Sequence, residues 1–135
     1  TDPNSKENFS PYATGFIHVP YDDLEALESV LETNPNVVGF LVEPIQGEAG
    51  VYTPAEDFIK GAKALCNEYN VLLITDEIQT GIGLTGSLLA VCGNCSCEHA
   101  CQAQADTYFR PDMLILGKAI SGCTYPVSES FVMLR

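Results

Sequence analysis

The sequence predicts an α/β fold built on a mostly parallel sheet. Two short runs, Val37-Val38-Gly39-Phe40-Leu41-Val42 and Val71-Leu72-Leu73-Ile74-Thr75, are apolar without alternation, the pattern of strands buried on both faces beneath helices. Between them Phe58, Ala62, Leu65, Cys66 and Tyr69 recur at helical spacing, so strand, helix and strand follow in the order of a right-handed crossover. Met113-Leu114-Ile115-Leu116 supplies a third buried strand, and Val127 to Leu134 a fourth.

The remaining elements follow from local chemistry. The first 15 residues mix Pro3, Asn4, Pro11 and Gly15 with polar neighbours and read as loop. Phe16-Ile17-His18-Val19 is expected to be a short strand closed by Pro20. Asp22-x-x-Glu25 then opens a helix, offering a capping oxygen to unpaired amides and acids to the positive end of the helix dipole. Leu24, Leu27 and Leu31 share one face of that helix, which ends near Asn34-Pro35 because proline restricts the residue before it. Glu43-Pro44 closes the first buried strand. Thr53-Pro54-Ala55-Glu56 has the form of a capping box with proline at the first helical position.

The 135 residues carry 18 acidic and 6 basic side chains, a formal charge of −12, and 46% are hydrophobic. That length allows one domain at most, and the apolar content is that of a chain that buries a core rather than of a disordered tract. With so few basic residues, no stripe exists to neutralise phosphates, which argues against a nucleic-acid or anionic-membrane surface. The apolar runs are of strand length, far below the roughly 20 residues of a membrane-spanning helix. The chain starts at Thr1 without an initiator Met and ends in Phe131-Val132-Met133-Leu134-Arg135, so it is expected to be a piece of a longer polypeptide. No targeting segment can be read at such a start.

Of the six cysteines, Cys66 and Cys123 stand alone and Cys92, Cys95, Cys97 and Cys101 fall within ten residues. They are not spaced as a disulfide framework. Together with His99 the cluster has enough soft ligands for tetrahedral zinc. Structural zinc sites pair two separated ligand doublets, however, so a loop of reduced thiols or an insertion in the coding sequence is the favoured reading, with no metal expected. Asn8-Phe9-Ser10 and Asn94-Cys95-Ser96 match the glycosylation triplet, which arises often by chance.

Ligands in open α/β sheets bind beyond the carboxyl ends of the strands. There the first buried strand delivers Glu43, Gln46 and Glu48, the second Asp76, Glu77 and Gln79, and the third Lys118. Taken singly, each has a plain reading as a helix cap, a solvated loop acid or a surface lysine. Three strands presenting carboxylates, amides and one lysine at the same edge point elsewhere. A lysine buried near that edge gives up its proton more readily and can attack a carbonyl. A carboxylate across a flat heterocycle can keep a pyridinium nitrogen protonated. Those are the two groups that pyridoxal phosphate chemistry requires of a protein.

The stretches Val42-Glu43-Pro44-Ile45-Gln46-Gly47-Glu48-Ala49-Gly50, Thr75-Asp76-Glu77-Ile78-Gln79-Thr80-Gly81, Thr85-Gly86, Pro111-Asp112, Gly117-Lys118-Ala119-Ile120-Ser121-Gly122 and Tyr125-Pro126-Val127-Ser128 resemble the class III, or omega, aminotransferases. Thr1-Asp2-Pro3 and Pro20-Tyr21-x-Asp23-Leu24-x-Ala26-Leu27-Glu28 favour the ornithine branch over the acetylornithine and 4-aminobutyrate branches. The resemblance implies that residues 1–135 form part of the large, cofactor-binding domain of a fold-type I pyridoxal-phosphate transferase, with a cysteine-rich insertion at about 88–105. It further implies Lys118 as the Schiff-base lysine and proton shuttle, Asp76 as the partner of the pyridinium nitrogen, Ile78 against one face of the ring and Gln79 near the ring hydroxyl. Glu48 matches an acid that can pair with an arginine gating the substrate carboxylate, and Glu43 another pocket acid. The implied reaction moves the terminal amino group of ornithine to 2-oxoglutarate, giving glutamate semialdehyde and glutamate by a ping-pong route. The implied assembly is a homodimer or higher, in the mitochondrial matrix or the cytoplasm, with small-molecule amino acid and 2-oxo acid substrates.

The family's phosphate-binding turn, aromatic ring stacker and substrate arginine lie outside these residues, so the chain alone is expected to be inactive. A truncated, non-catalytic remnant is the alternative. The sequence departs from the family at Leu84 and Ser87, where basic residues usually flank Thr-Gly, at Cys123, where a second glycine usually follows Gly122, and at residues 87–110, a longer connection than the family's. Gly81-Ile82-Gly83-Leu84-Thr85-Gly86 imitates a dinucleotide fingerprint. Residues 76–80 separate it from the strand, and no good helix pattern follows it, so a nicotinamide or flavin site is not expected.

Overall fold

In the computed structural model, which describes residues 7–8, 11–92 and 110–132, two helices lie on one face of a four-stranded sheet. Helix α1 spans Leu24–Thr33 and is capped by Asp23, whose Oδ1 accepts from the Ala26 amide at 2.9 Å. The expected cap, Asp22, is used differently. It adopts a left-handed φ of 65°, and its carboxylate accepts from the Ala55 amide at 3.0 and 3.1 Å, tying the entry of α1 to the approach of the second helix. At the other end Asn34 closes the helix by donating its backbone and side-chain N–H groups to the Val30 carbonyl, each at 3.0 Å.

Helix α2 spans Phe58–Glu68 and starts later than the Thr53-Pro54-Ala55-Glu56 box predicts. Asp22 takes the Ala55 amide, and Asp57, the residue before α2, makes no side-chain capping bond. Residues 16–19 form no strand. Among the described residues they find no partner to pair with, Phe16 is 72% exposed, and of the four only Val19 packs against the core.

Strands β1 (Gly39–Val42), β2 (Leu72–Asp76) and β3 (Met113–Gly117) pair in parallel, and β4 (Ser128–Val132) closes the order β1-β2-β3-β4 antiparallel to β3. Met133 to Arg135, the end of the predicted fourth strand, lie outside the described residues. Leu27 and Leu31 of α1, Phe58, Ala62 and Cys66 of α2, Val42 and Leu73 from the sheet, and Val71 just before β2 form one buried cluster. Gly61 lets the helices meet, since a Cβ there would lie 2.4 Å from the Leu24 Cδ1.

The expectation that the strands are buried on both faces is met on one face only. Leu41 and Leu72 turn away from the helices and stay exposed, whereas Val42 and Leu73, next along the same strands, are buried. Among the described residues no helix is long and apolar enough to cross a membrane.

Two polar features fix the sheet. Asp112, 4% exposed, accepts from Lys63 Nζ at 2.6 Å and from the Leu73 amide at 2.9 Å, and its own amide donates to the Leu73 carbonyl, which seats β3 beside β2. Thr75 is fully buried, and its Oγ1 has no hydrogen-bond partner among the described residues. An unpaired buried hydroxyl costs about 1–3 kcal/mol, so Thr75→Val, which keeps the shape, is expected to raise stability by roughly 1 kcal/mol. Urea denaturation checks this, and a lower midpoint for the variant would refute it.

Candidate active site

The parallel register brings the ends of β1, β2 and β3 to one edge. Val42 pairs with Thr75 and Asp76 with Ile115, so Glu43, Asp76 and Lys118 leave the sheet side by side. Past Gly117 the chain makes a short 3-10 turn, Lys118–Ser121, capped by Gly122 in the left-handed region. Lys118 itself holds a φ of 41°, and Cys123, at the family's usual glycine, a φ of 59°. Side chains with a Cβ adopt that region at a cost of about 1–2 kcal/mol, and such conformations concentrate at functional sites. The turn is held by the Cys123 amide on the Lys118 carbonyl, and by the Ser121 hydroxyl, which donates to the carbonyls of Lys118 and Tyr125.

Lys118 and Ile78 line a cleft of about 570 Å3 together with residues 123–128. Ile78 packs tightly on the end of β3, where a Cβ on Gly117 would meet its Cγ2 at 2.9 Å. Asp76 is half-buried. Its Oδ1 accepts from the Ile78 amide at 3.0 Å, while Oδ2 has no hydrogen-bond partner among the described residues. Gln79 donates its Nε2 to Glu48 at 3.3 Å. That approach requires a glycine at 47, where a Cβ would lie 2.1 Å from the Gln79 Oε1.

Glu43 reports how closely the charges gather. Burial pushes its carboxyl above the ordinary 4.5, and Asp76 and Glu48 push the same way, opposed by the Gly47 amide and by Lys118. A carboxyl raised in the fold stabilises it fully below its unfolded value and loses that contribution as pH rises through the raised value. Glu43→Gln, uncharged throughout, is therefore expected to gain stability relative to the parent as pH climbs from below 4.5 toward neutrality. Melting temperatures across that range test the sign, and a constant offset would refute it.

Glu77, beside Asp76 in sequence, belongs to the framework. It is 1% exposed and accepts from the Thr80 hydroxyl and from the amides of Ala90, at 3.0 Å, and Val91, at 2.9 Å. It thereby holds the 3-10 turn Ala90–Cys92 against the end of β2. The glycine run 81–86 lies in consecutive turns. Cys95, Cys97, His99 and Cys101 lie outside the described residues.

Lys118 is exposed among the described residues. Tyr125-Pro126-Val127-Ser128, quoted above only as a motif of the resemblance, forms part of the cleft wall.

The group that fits this edge is pyridoxal phosphate. The donor set is an amine on a cleft wall, a carboxylate with an oxygen to spare, an apolar side chain beside the lysine and an amide. The sequence profile of the class III aminotransferases matches residues 1–133, and the chain belongs to that family, whose members depend on pyridoxal phosphate.

Within it, the rat mitochondrial ornithine aminotransferase is 48% identical over 128 residues, covering 95% of this chain and 26% of that protein. Among solved structures, the ornithine aminotransferase of Toxoplasma gondii superposes with a TM-score of 0.80 at 44% identity, over 98% of this chain and 28% of that one. An acetylornithine aminotransferase from Elizabethkingia anophelis gives a TM-score of 0.71 at 48% identity, over 97% and 28%. The chain thus spans little more than a quarter of the length of these relatives.

Proposed function

We propose that this chain carries the lysine-bearing wall of an active site that moves the terminal amino group of ornithine to 2-oxoglutarate. The observation behind this reading is the gathering of Glu43, Asp76 and Lys118 at one sheet edge, in a chain similar to ornithine aminotransferases over nearly its whole length. Pyridoxal phosphate, when bound, supplies an electron sink for the charge left by removing a proton from the carbon that bears the amine.

The chain's own residues do the rest. The Lys118 amine holds the cofactor and, once released, carries the proton away from that carbon and back to its neighbour. Asp76 uses its unpaired Oδ2 to keep the ring nitrogen protonated. Ile78 offers an apolar surface beside Lys118, and Gln79 an amide for the ring hydroxyl. Glu48 and Glu43 stand toward the substrate, Glu48 held by Gln79. In the first half-reaction ornithine leaves as glutamate semialdehyde, and in the second 2-oxoglutarate takes up the amino group as glutamate, so nitrogen and electrons balance. Residues 1–135 form part of the large domain, which works as a homodimer with groups supplied from elsewhere. The rat relative's mitochondrial location is carried over with the reading.

Turnover assays of the full reading frame test the substrate. Ornithine with 2-oxoglutarate is expected to be the preferred pair over acetylornithine and 4-aminobutyrate, and the isolated 135 residues are expected to show no turnover. Preference for acetylornithine would move the chain to that branch. Normal folding with no turnover of any omega-amine in the full frame would favour a non-catalytic remnant.

A further inference from the structure

The segment after β1 carries both Glu43 and Glu48, and its geometry depends on a residue far away in sequence. Tyr21, ahead of α1, donates its hydroxyl to the carbonyl of Glu43 at 3.2 Å and to that of Pro44 at 3.0 Å. Its ring packs edge-on against Phe58 at the start of α2, with centroids 5.6 Å apart and planes at 62°. Phe58 is itself buried in the main cluster, so the phenol ties the turn to the rigid core. Farther along, Gln46 and Tyr52 exchange backbone hydrogen bonds at 3.0 and 3.1 Å and close the loop. Glu48 lies within the loop that this second tie closes.

We propose that Tyr21 is a positioning residue of the site, acting through the carbonyls of Glu43 and Pro44 to hold the loop that presents Glu43 and Glu48 to the substrate. The assignment rests on the transaminase reading above for its functional consequence, and on geometry alone for its structural one. Burial, with Asp22 and Glu43 nearby, pushes the phenol up to about 12, so it stays a neutral donor through the working range. The backbone carbonyls it satisfies sit where β1 ends and no ladder partner continues, and losing the hydroxyl frees the turn to sample other positions.

The test is Tyr21→Phe in the full reading frame loaded with pyridoxal phosphate, with Tyr69→Phe as control. Tyr69 also donates its hydroxyl, to the Glu32 carboxylate at 3.4 Å, at the C-terminal end of α1. Phenylalanine at 21 keeps the ring contact. Amide hydrogen exchange over residues 45–50 is expected to quicken in Tyr21→Phe and not in Tyr69→Phe. Per bound cofactor, KM for ornithine is expected to rise by roughly tenfold or more in Tyr21→Phe, with a smaller change in kcat. Exchange and KM unchanged, or an equal rise in Tyr69→Phe, would overturn the proposal, as would an activity loss fully explained by the unfolded fraction. An unmodified chain that loads no cofactor on Lys118 would instead overturn the transaminase reading, and the exchange measurement would still decide the role of Tyr21.

Discussion

Lys118→Ala in the full reading frame is expected to abolish borohydride trapping of pyridoxal phosphate on this chain and to lower turnover by at least 10² to 10⁴-fold, the usual worth of a positioned proton-transfer group. Among the described residues Lys118 is the one lysine on the cleft wall. Lys60 is exposed on α2, beside Asp57, and Lys63 is committed to Asp112. Peptide mapping should therefore find the label on Lys118 in the parent chain and nowhere in the variant. Because Lys118 is exposed, and alanine keeps the Cβ and with it the strain of a φ of 41°, the variant should leave melting nearly unchanged. A label on another lysine, or a variant with parental turnover, would refute the assignment.

The largest expected effect on stability is at Asp112. Asp112→Ala removes the partner of Lys63, whose side chain is only 18% exposed, and the acceptor of the Leu73 amide. Breaking a buried pair from one side costs about 3–5 kcal/mol, because the remaining charge keeps its desolvation penalty without compensation. Lys63→Met, which takes the cation away from the buried acid, should also destabilise the fold. The position also matters for the site. Asp112 immediately precedes Met113, and the pairing of Met113 with Ile74 carries through to Asp76 beside Ile115 and so to Lys118. Denaturant titrations measure both losses, and a cost below about 1 kcal/mol for either would show the pair to be solvated in solution.

The three parallel strands were legible because each is a bounded apolar run, and so were the interior faces of α1 and α2, because helical spacing admits few alternatives. The edge that bears Glu43, Asp76 and Lys118 was legible for a related reason. Chemistry-bearing residues directly follow apolar runs, and parallel strands end together. The helix starts were less legible, since Asp22 and Asp23 are equally able to cap, and only the position of Ala55 draws Asp22 away. Phe16 to Val19 has the composition of a strand, but a strand exists only where a neighbour accepts its hydrogen bonds. The adjacent acids Asp76 and Glu77 could not be told apart by type. One ends the sheet with an oxygen to spare, and the other is buried on amides that come from 13 and 14 residues farther along the chain.

By itself, then, the sequence determined the fold class, because burial pattern and strand order are local properties that a one-dimensional pattern records, and its motifs carried the family resemblance. Tertiary structure alone decided that Glu77 is buried on the amides of Ala90 and Val91, that the helices cover a single face of the sheet among the described residues, and that Tyr21 reaches the turn after β1. Those outcomes depend on hydrogen bonds and contacts between residues distant along the chain, and no spacing rule encodes which distant partner a side chain will find.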